Sequence, residues 1–466
     1  MSGDTPVPDS TDETDAALAA EIETILASFT RYHPDRIELS LDRMYRLLSD
    51  LGDPHLALPP VIHIAGTNGK GSTAAFLAAA LEIAGKRVSV YTSPHLLRLN
   101  ERYHVAGAPL DNVALLQLFE EIDATNAGKS ITEFEITTAA ALLAMARAPS
   151  DIVILETGLG GRCDATNVIA KPAATVITRI GLDHMDFLGP DIAAIAAEKA
   201  AIQKRDVPSI VAPQDPVAAA VIADAARSIG APLYRAGTEW RLEPTADGGG
   251  VFRHGDTVWP LPPPGLPGRH QLDNAATAAA CLKVCDLTGT TRDAIAIGIR
   301  NVTWPGRMEW VQRGALADLL PQGWELWFDA AHNPLGAQAL AESFKTLNTR
   351  DDRPFHLVFA LLDDKDIDGF LAPFVGLADT VTAVPIPDED RAQSVPALLE
   401  SAASAGFIAR AAENIHDALS AFTREPGSAR VLVTGSHPLI AAAMTANRTT
   451  GLQWLDQVDG GYYCAH

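Results

Sequence analysis

The sequence has few of the features that mark secreted, membrane-spanning or zinc-binding proteins. Only 4 of its 466 residues are cysteines, and no second Cys/His pair joins Cys281 and Cys285 to complete a zinc site. We therefore expect free thiols in a reducing cytoplasm. No apolar run approaches the roughly 20 residues that span a bilayer. The N-terminus lacks a basic segment followed by an apolar one, so no secretory signal is expected.

Basic residues are also scarce. The chain has 36 Lys and Arg against 58 Asp and Glu, for a formal net charge of −22. A surface this negative repels phosphate backbones, so we expect no nucleic-acid partner. Residues 1–15 combine part of this acidic excess with a lack of apolar periodicity, and they are predicted to be a disordered lead-in.

The rest of the chain alternates between short apolar runs and Ala-rich helical stretches. Its length exceeds that of a single hydrophobic core, so two domains are expected. We predict an α/β fold with a mostly parallel sheet and a phosphate-binding loop over residues 16–302, and a second, smaller Rossmann-like α/β domain over residues 303–466. Residues 234–268 instead show short alternating strands and a proline run, which predict an antiparallel excursion at the sheet edge.

The strongest local signal is a glycine-rich loop between a predicted strand and a predicted helix. Its sequence is Ala65-Gly66-Thr67-Asn68-Gly69-Lys70-Gly71-Ser72-Thr73. Glycines let backbone N–H groups turn towards a phosphate, and a helix N-terminus favours negative charge. The spacing departs from the usual nucleotide loop, because Gly66 lies closer to Gly69 and Gly71 separates Lys70 from the hydroxyl. The embedded lysine nevertheless favours a phosphate site over a plain turn.

Polar residues at the ends of three predicted strands form a possible metal site. These are Ser93, Glu156 and His184. A hydroxyl, a carboxylate and an imidazole could hold a divalent cation beside a terminal phosphate. Magnesium prefers oxygen ligands, so manganese could substitute. The alternative is that His184 only caps a turn.

Lys199 lies on a predicted Ala-rich helix. From the residues alone, the favoured interpretation is a solvated lysine paired with a carboxylate. A neutral lysine can also add carbon dioxide and become an anionic carbamate.

Several further strings, in a fixed order, carry a resemblance to a known family. The quoted segments are His63-Ile64-Ala65-Gly66-Thr67-Asn68-Gly69-Lys70-Gly71-Ser72, Thr92-Ser93-Pro94-His95-Leu96, Thr132-Glu133-Phe134-Glu135, Glu156-Thr157-Gly158-Leu159-Gly160-Gly161-Arg162-Cys163-Asp164-Ala165-Thr166-Asn167, Asp183-His184-Met185-Asp186-Phe187-Leu188-Gly189, Glu198-Lys199-Ala200, Gly268-Arg269-His270-Gln271-Leu272-Asp273-Asn274, Trp304-Pro305-Gly306-Arg307 and Asp329-Ala330-Ala331-His332-Asn333-Pro334. Together they resemble the folylpolyglutamate synthase/dihydrofolate synthase family, a branch of the Mur ligases.

The resemblance implies roles for individual residues. ATP would be held by Gly69, Lys70, Gly71, Ser72, Asn274, Arg307 and Asp329. Magnesium would be ligated by Ser93, Glu156 and His184, and the pterin side by Thr132, Glu133, Phe134, Glu135, Cys163, Asp164 and Ala165. Lys70, Lys199 and His332 would be catalytic, with Lys199 carbamylated, which reverses the preference from the residues alone.

Local alternatives remain open for some of these residues. Thr132 and Glu135 have capping-box spacing, Arg307 could be a surface-turn cation, and Asp329 or Asn333 could be only a helix N-cap. The sequence also departs from the family at Cys163, where leucine is usual, and at Ala330, where glycine is usual.

The resemblance implies an ATP-dependent amide ligase that joins L-glutamate to dihydropteroate, to reduced folates, or to both, through an acyl phosphate. We expect a bifunctional, cytoplasmic enzyme that uses Mg²⁺ or Mn²⁺ and acts as a monomer. One alternative is a Mur ligase for a peptidoglycan precursor, although about 60 residues before the loop leave little room for its extra domain. The other is a nucleotide switch without ligase activity.

Overall fold

The larger sheet has eight strands in the order β4-β3-β2-β5-β1-β6-β7-β8. The computed structural model describes residues 10–32, 40–286 and 289–448. The strands are β1 Val61–Ala65, β2 Val88–Tyr91, β3 Tyr103–Val105, β4 Ala108–Pro109, β5 Ile152–Glu156, β6 Ala174–Ile177, β7 Ser209–Val211 and β8 Leu233–Arg235. β3 pairs antiparallel with β2 and with β4, and every other pair in this sheet is parallel, so the carboxyl ends of β1, β2, β5, β6, β7 and β8 lie at one common edge.

Helices cover both faces of this sheet, which explains why β1, β2, β5 and β6 are buried at every position. They are α1 Ser10–Phe29, α2 Asp42–Asp50, α3 Lys70–Ile83, α4 Asn112–Asn126, α5 Glu133–Arg147, α6 Met185–Leu188, α7 Ile192–Ala200, α8 Pro216–Ile229, α9 Arg269–Cys285 and α10 Arg292–Asn301. One core packs α3, α9 and α10 against the sheet, and the opposite core packs α1, α4 and α5.

The antiparallel strands predicted within residues 234–268 are present, but the prediction that they extend the edge of the large sheet is wrong. These strands, β9 Trp240–Pro244, β10 Gly250–His254 and β11 Thr257–Leu261, form a separate three-stranded sheet. Trp240, Phe252 and Leu261 are buried in the same core as α3 and α9. The strands thus have an apolar face of their own to bury, and they cover the core as a layer instead of extending the large sheet.

A second sheet has six strands in the order β12-β13-β17-β14-β15-β16. They are β12 Glu309–Val311, β13 Glu325–Asp329, β14 Phe355–Phe359, β15 Thr380–Ala383, β16 Ala409–Ala411 and β17 Arg430–Thr434. The accompanying helices are α11 Pro334–Asp351, α12 Ile367–Leu371, α13 Val395–Ser404, α14 Ile415–Ser420 and α15 His437–Ala446. This unit buries its own core, as predicted for a second α/β domain.

The chain passes from the first unit to the second between α10 and β12. The helix α10 still packs on α3 of the first unit, whereas β12 belongs to the second sheet. We propose that the domain boundary lies at the predicted residue 303. The predicted disordered lead-in of residues 1–15 needs a correction, because α1 already begins at Ser10; residues 1–9 lie outside the described residues, as does Cys464. In the part of the chain that the structure describes, no helix is both long and apolar enough to cross a membrane.

Candidate active site

The glycine-rich loop joins β1 directly to α3, as predicted. Gly69 takes a positive φ of 88°, and a Cβ there would lie 2.5 Å from the Asn274 side-chain oxygen, so both backbone and space require glycine. Since Gly69 offers no side-chain cap, the first N–H groups of α3 remain available to a phosphate. The loop lines a cavity of about 240 Å³, which we call the phosphate cavity.

Lys70 folds back over this loop. Its Nζ donates hydrogen bonds to the carbonyl oxygens of Gly66 at 3.1 Å and Thr67 at 3.2 Å. It also lies 3.9 Å from Oε1 of Glu156. Next to it on α3, the fully buried Thr73 has no hydrogen-bond partner for its Oγ1 among the described residues. Lys70 and the α3 N-terminus therefore place positive charge and free donors at one wall of the phosphate cavity.

The other predicted nucleotide contacts line the same cavity. Asn274 comes from α9, Asp329 from the end of β13, and Arg307 from the segment between the two units. Arg307 is half-buried in the cavity wall, which argues against a plain surface-turn cation. Asp329 accepts from the N–H groups of Met308 and Ala331, both at 2.8 Å, so it fixes the segment that carries Arg307. The α11 cap is Asn333, not Asp329.

The predicted metal ligands Ser93, Glu156 and His184 all line the phosphate cavity. Oε2 of Glu156 accepts from the Ser93 N–H at 3.3 Å. Burial raises the pKa of Glu156 to about 7, although Lys70 and the Ser93 N–H oppose that shift. A buried carboxylate that is this poorly compensated fits a divalent cation.

The third predicted ligand, His184, lies beside two aspartates at the wall of the phosphate cavity. Its ring lies 3.8 Å from Asp364 and 3.9 Å from Asp183, and burial lowers its pKa to about 4, so the neutral imidazole is available as a ligand. Within the described ranges no group of three His, Cys, Asp or Glu side chains is close enough to hold a metal ion. The turn-cap alternative holds for the backbone, because His184 is the N-cap residue of α6 and its carbonyl oxygen accepts from the Phe187 and Leu188 N–H groups, both at 3.0 Å. The His184 side chain makes no cap hydrogen bond, so capping and a ligand role are compatible.

Lys199 is buried, so its interpretation as a solvated surface lysine is wrong. Its Nζ donates to the carbonyl oxygen of Gly66 at 2.9 Å and lines the phosphate cavity. Burial first, and then the positive charge of Lys70, lower the pKa of Lys199 to about 7. A substantial fraction of the side chain is therefore the neutral amine near neutral pH.

A second cavity, of about 1240 Å³, adjoins the first, and we call it the acceptor cavity. The predicted pterin-side residues all line it: Thr132, Glu133, Phe134, Glu135, Cys163, Asp164 and Ala165. Thr132 and Glu135 also form the predicted capping box of α5. The two residues therefore cap the helix and line the acceptor cavity at the same time. The carboxylate of Asp164 accepts from Leu159 N at 2.8 Å and Thr166 Oγ1 at 2.5 Å, and burial raises its pKa.

The two departures from the family pattern are accommodated. Cys163 is half-buried, and its Sγ accepts from Arg162 Nη1 at 3.4 Å. Ala330 is buried at the phosphate cavity but does not take a positive φ, so its extra methyl group causes no backbone strain.

The second unit brings three side chains to Asp183, of which the sequence had not singled out Lys365. Lys365 Nζ lies 2.7 Å from Oδ1 of Asp183. Asn333 Nδ2 donates to Oδ2 of Asp183 at 2.8 Å, and Nε2 of His332 is 3.4 Å away. Burial alone would raise the pKa of Asp183, but the hydrogen bond and charge of His332, with His184 and Lys365, lower it far below its usual range. Asp183 is therefore an ionised contact between the two units.

Replacing Asp183 by alanine should lower the free energy of unfolding by about 2–4 kcal/mol, because the buried Lys365 would lose its closest carboxylate. A lower urea midpoint would be the readout. Asp224→Ala is the matched control, since its pair with Arg227 is exposed at 69% and 77%. Equal midpoints for the two variants would contradict a stabilising role for this contact.

Family comparisons agree with this architecture. Residues 64–282 match the model of the Mur ligase middle domain, and residues 306–437 match the Mur ligase, glutamate ligase domain. The dihydrofolate synthase/folylpolyglutamate synthase of Escherichia coli is 36% identical over 426 residues, covering 91% of this chain and 95% of the relative.

Solved structures are similarly close. That of E. coli FolC in complex with DHPP and ADP has a TM-score of 0.81 at 35% identity, covering 91% of this chain and 97% of that one. The bifunctional folylpolyglutamate synthase/dihydrofolate synthase of Yersinia pestis complexed with AMPPNP and Mn ion has a TM-score of 0.80 at 34% identity, covering 91% and 97%. The chain therefore belongs to the dihydrofolate synthase/folylpolyglutamate synthase family of Mur ligases.

Proposed function

We propose that this protein is an ATP-dependent ligase that adds L-glutamate to dihydropteroate and to reduced folates. One observation carries the proposal: the phosphate cavity and the acceptor cavity share a wall that includes Ser93, His184 and His332. A terminal phosphate on one side can thus meet a carboxylate on the other. A nucleotide switch has no use for a cavity of about 1240 Å³ open to its phosphate loop.

The reaction begins with activation of the acceptor. A carboxylate oxygen attacks the γ-phosphorus of ATP, the bond to the β-phosphate oxygen breaks, and ADP leaves. Such a transfer depends on positioning and on charge neutralisation more than on covalent participation. Lys70 from the start of α3 and Arg307 from the segment between the two units both supply a cation to the phosphate cavity, so two anions can approach each other there. Gly69, Gly71, Ser72, Asn274 and Asp329 complete the proposed ATP site.

The second step forms the amide. The amine of L-glutamate attacks the carbonyl carbon of the acyl phosphate, and the tetrahedral adduct loses phosphate and a proton. Water would hydrolyse the acyl phosphate, so its exclusion by both units matters. His332 belongs to the proposed catalytic set because it enters the shared wall from the second unit, where its Nδ1 faces the Ala330 carbonyl oxygen at 3.0 Å.

A divalent cation completes the proposed site. Ser93, Glu156 and His184 would hold Mg²⁺, with Mn²⁺ as a substitute, and the bound ion would neutralise charge on the γ-phosphate. The buried, poorly compensated Glu156 carboxylate supports this assignment. The carbamate of Lys199 would add a second anion beside Lys70, and the lowered pKa of the Lys199 amine supports the modification.

We also propose that the enzyme works as a monomer in the cytoplasm without a nucleic-acid partner. Both cavities are built from one chain, the described cysteines Cys163, Cys281 and Cys285 are free thiols, and the net charge is −22.

Phosphate release measured with separate acceptors tests the function. We expect ADP and phosphate to form only when ATP, L-glutamate and either dihydropteroate or tetrahydrofolate are all present. The product mass should rise by one glutamyl residue. ATP hydrolysis that ignores the acceptor would point to a nucleotide switch, and turnover only with a uridine-nucleotide peptidoglycan precursor would point to a different Mur ligase.

A further inference from the structure

Arg102 occupies an unusual position in the acceptor cavity. Its backbone oxygen accepts from the Thr92 N–H at 3.2 Å, which places it beside the residue before Ser93. Its side chain is half-buried and lines the acceptor cavity, but it is not part of the phosphate cavity wall. Arg102 therefore lies beside the segment that carries Ser93, and its side chain faces the acceptor cavity.

Among the described residues, the other cations that line the acceptor cavity are each paired with a carboxylate, and Arg102 is not. Lys365 pairs with Asp183 at 2.7 Å and Arg391 with Asp364 at 3.2 Å, and Arg43 pairs with Glu135 at 3.1 Å. Across residues 10–32, 40–286 and 289–448, Arg102 has no ion pair with a carboxylate. Its guanidinium charge is left for a ligand.

A hydrogen bond to His95 orients the Arg102 guanidinium. Nε of Arg102 donates to Nδ1 of His95 at 3.0 Å, so this imidazole nitrogen carries a lone pair and the ring adds no charge in this arrangement. The contact uses the inner edge of the guanidinium. The two terminal nitrogens stay available to bind a carboxylate as a fork.

The proposed acceptors differ in the one group that such a fork would recognise. Dihydropteroate has a single carboxylate, and that group must enter the phosphate cavity to react. A reduced folate ends in glutamate, whose γ-carboxylate reacts while its α-carboxylate stays behind in the acceptor cavity. Only the folate therefore offers Arg102 an anion that takes no part in the chemistry.

We propose that Arg102, oriented by His95, binds the α-carboxylate of the terminal glutamyl residue of a folate acceptor and so determines specificity for chain extension over first-glutamate addition. This inference rests on the proposed function. Chain extension of a folate would then depend on a side chain that the addition of the first glutamate to dihydropteroate does not need.

The test compares three acceptors with the unaltered protein and with Arg102→Gln. The acceptors are dihydropteroate, tetrahydrofolate, and a tetrahydrofolate analogue in which 4-aminobutyrate replaces glutamate and so removes only the α-carboxylate. For Arg102→Gln we expect kcat/KM with tetrahydrofolate to fall roughly 10- to 100-fold, as for a lost hydrogen bond to a charged group. Values for dihydropteroate and for the analogue should stay within about twofold of those of the unaltered protein.

Two further variants keep the result interpretable. Arg102→Lys retains the charge without the fork and should recover part of the tetrahydrofolate activity, which also covers the case that the glutamine variant folds poorly. Arg147→Gln removes one equal charge from a surface pair with Glu121, and it should leave all three acceptors unchanged.

Equal losses with dihydropteroate and tetrahydrofolate would overturn the proposal, because Arg102 would then serve the reacting carboxylate or the incoming glutamate. Unchanged kinetics with every acceptor would overturn it as well. If the unaltered protein releases no phosphate with any acceptor, the proposed function itself falls and takes this inference with it. If the unaltered protein is an active ligase but Arg102→Gln does not change the ratio of kcat/KM between tetrahydrofolate and dihydropteroate, only this inference is overturned and the proposed function is retained.

Discussion

Replacing Lys70 by alanine is expected to lower kcat by about 10³-fold or more, the effect of removing a cation from a phosphoryl-transfer site. The Lys70 ammonium is held above the phosphate loop by the carbonyl oxygens of Gly66 and Thr67. In that position it can neutralise the charge that builds up as a carboxylate approaches the γ-phosphate. The measurement is the rate of phosphate release with saturating ATP, L-glutamate and dihydropteroate.

The Lys70→Ala variant also removes a charge that partly compensates the buried Glu156 carboxylate. Circular dichroism and a urea titration should therefore accompany the kinetics, to separate lost catalysis from lost folding. Lys283→Ala is a suitable control, because its ammonium lies 5.5 Å from the Trp259 ring centroid and neither residue lines the phosphate or the acceptor cavity. Near-normal turnover by a folded Lys70→Ala variant would remove the loop lysine from the mechanism.

Replacing Lys199 by alanine should have the second largest effect, a fall in kcat of about 10²- to 10³-fold. The neutral Lys199 amine can attack carbon dioxide and lose a proton, and the resulting carbamate carries a negative charge beside Lys70. Burial and the Lys70 charge, which lower the Lys199 pKa to about 7, make that neutral amine available. Acetate or formate should partly restore the alanine variant, since a small carboxylate can occupy the vacated space.

Three controls separate the carbamate from a simple ammonium role. Intact-protein mass spectrometry at native pH should detect one added carbon dioxide in the unaltered protein and none in Lys199→Ala. Lys204→Ala, a nearby half-buried lysine that bonds Asn167 at 2.8 Å, should keep both the added mass and the activity. Full activity in Lys199→Arg, with no rescue of the alanine variant by acetate, would show that a cation is what the site needs.

Much of the fold followed from local patterns. The strand and the helix predicted on either side of the glycine-rich loop agree with β1 and α3, because an apolar β-branched run and an Ala-rich stretch are strong local signals. The short strands β3, β4, β8, β12 and β16 were not predicted. Each has only two or three residues and a weak apolar pattern, so pairing with a neighbour decides its conformation.

Site residues divide along a similar line. Gly69 and Lys70 are recognisable because the loop that holds them is one continuous segment. Lys365 is 182 positions from Asp183, inside the charged run Asp363–Asp366 that is typical of a solvated surface, so nothing local marks it. Nothing local marks Arg102 either. It becomes a candidate only because, in the folded chain, it lines the acceptor cavity without a carboxylate partner among the described residues.

The sequence by itself determined the α/β class, the phosphate loop and the family, because these depend on residues that are near one another in the chain. The tertiary structure decided that Lys199 is buried, that the antiparallel strands form their own sheet, and that Asp183 joins the two units. The physical reason is that burial and charge pairing depend on which distant segments pack together. Desolvation and Coulomb energies are set by that packing, and not by the spacing of residues along the chain.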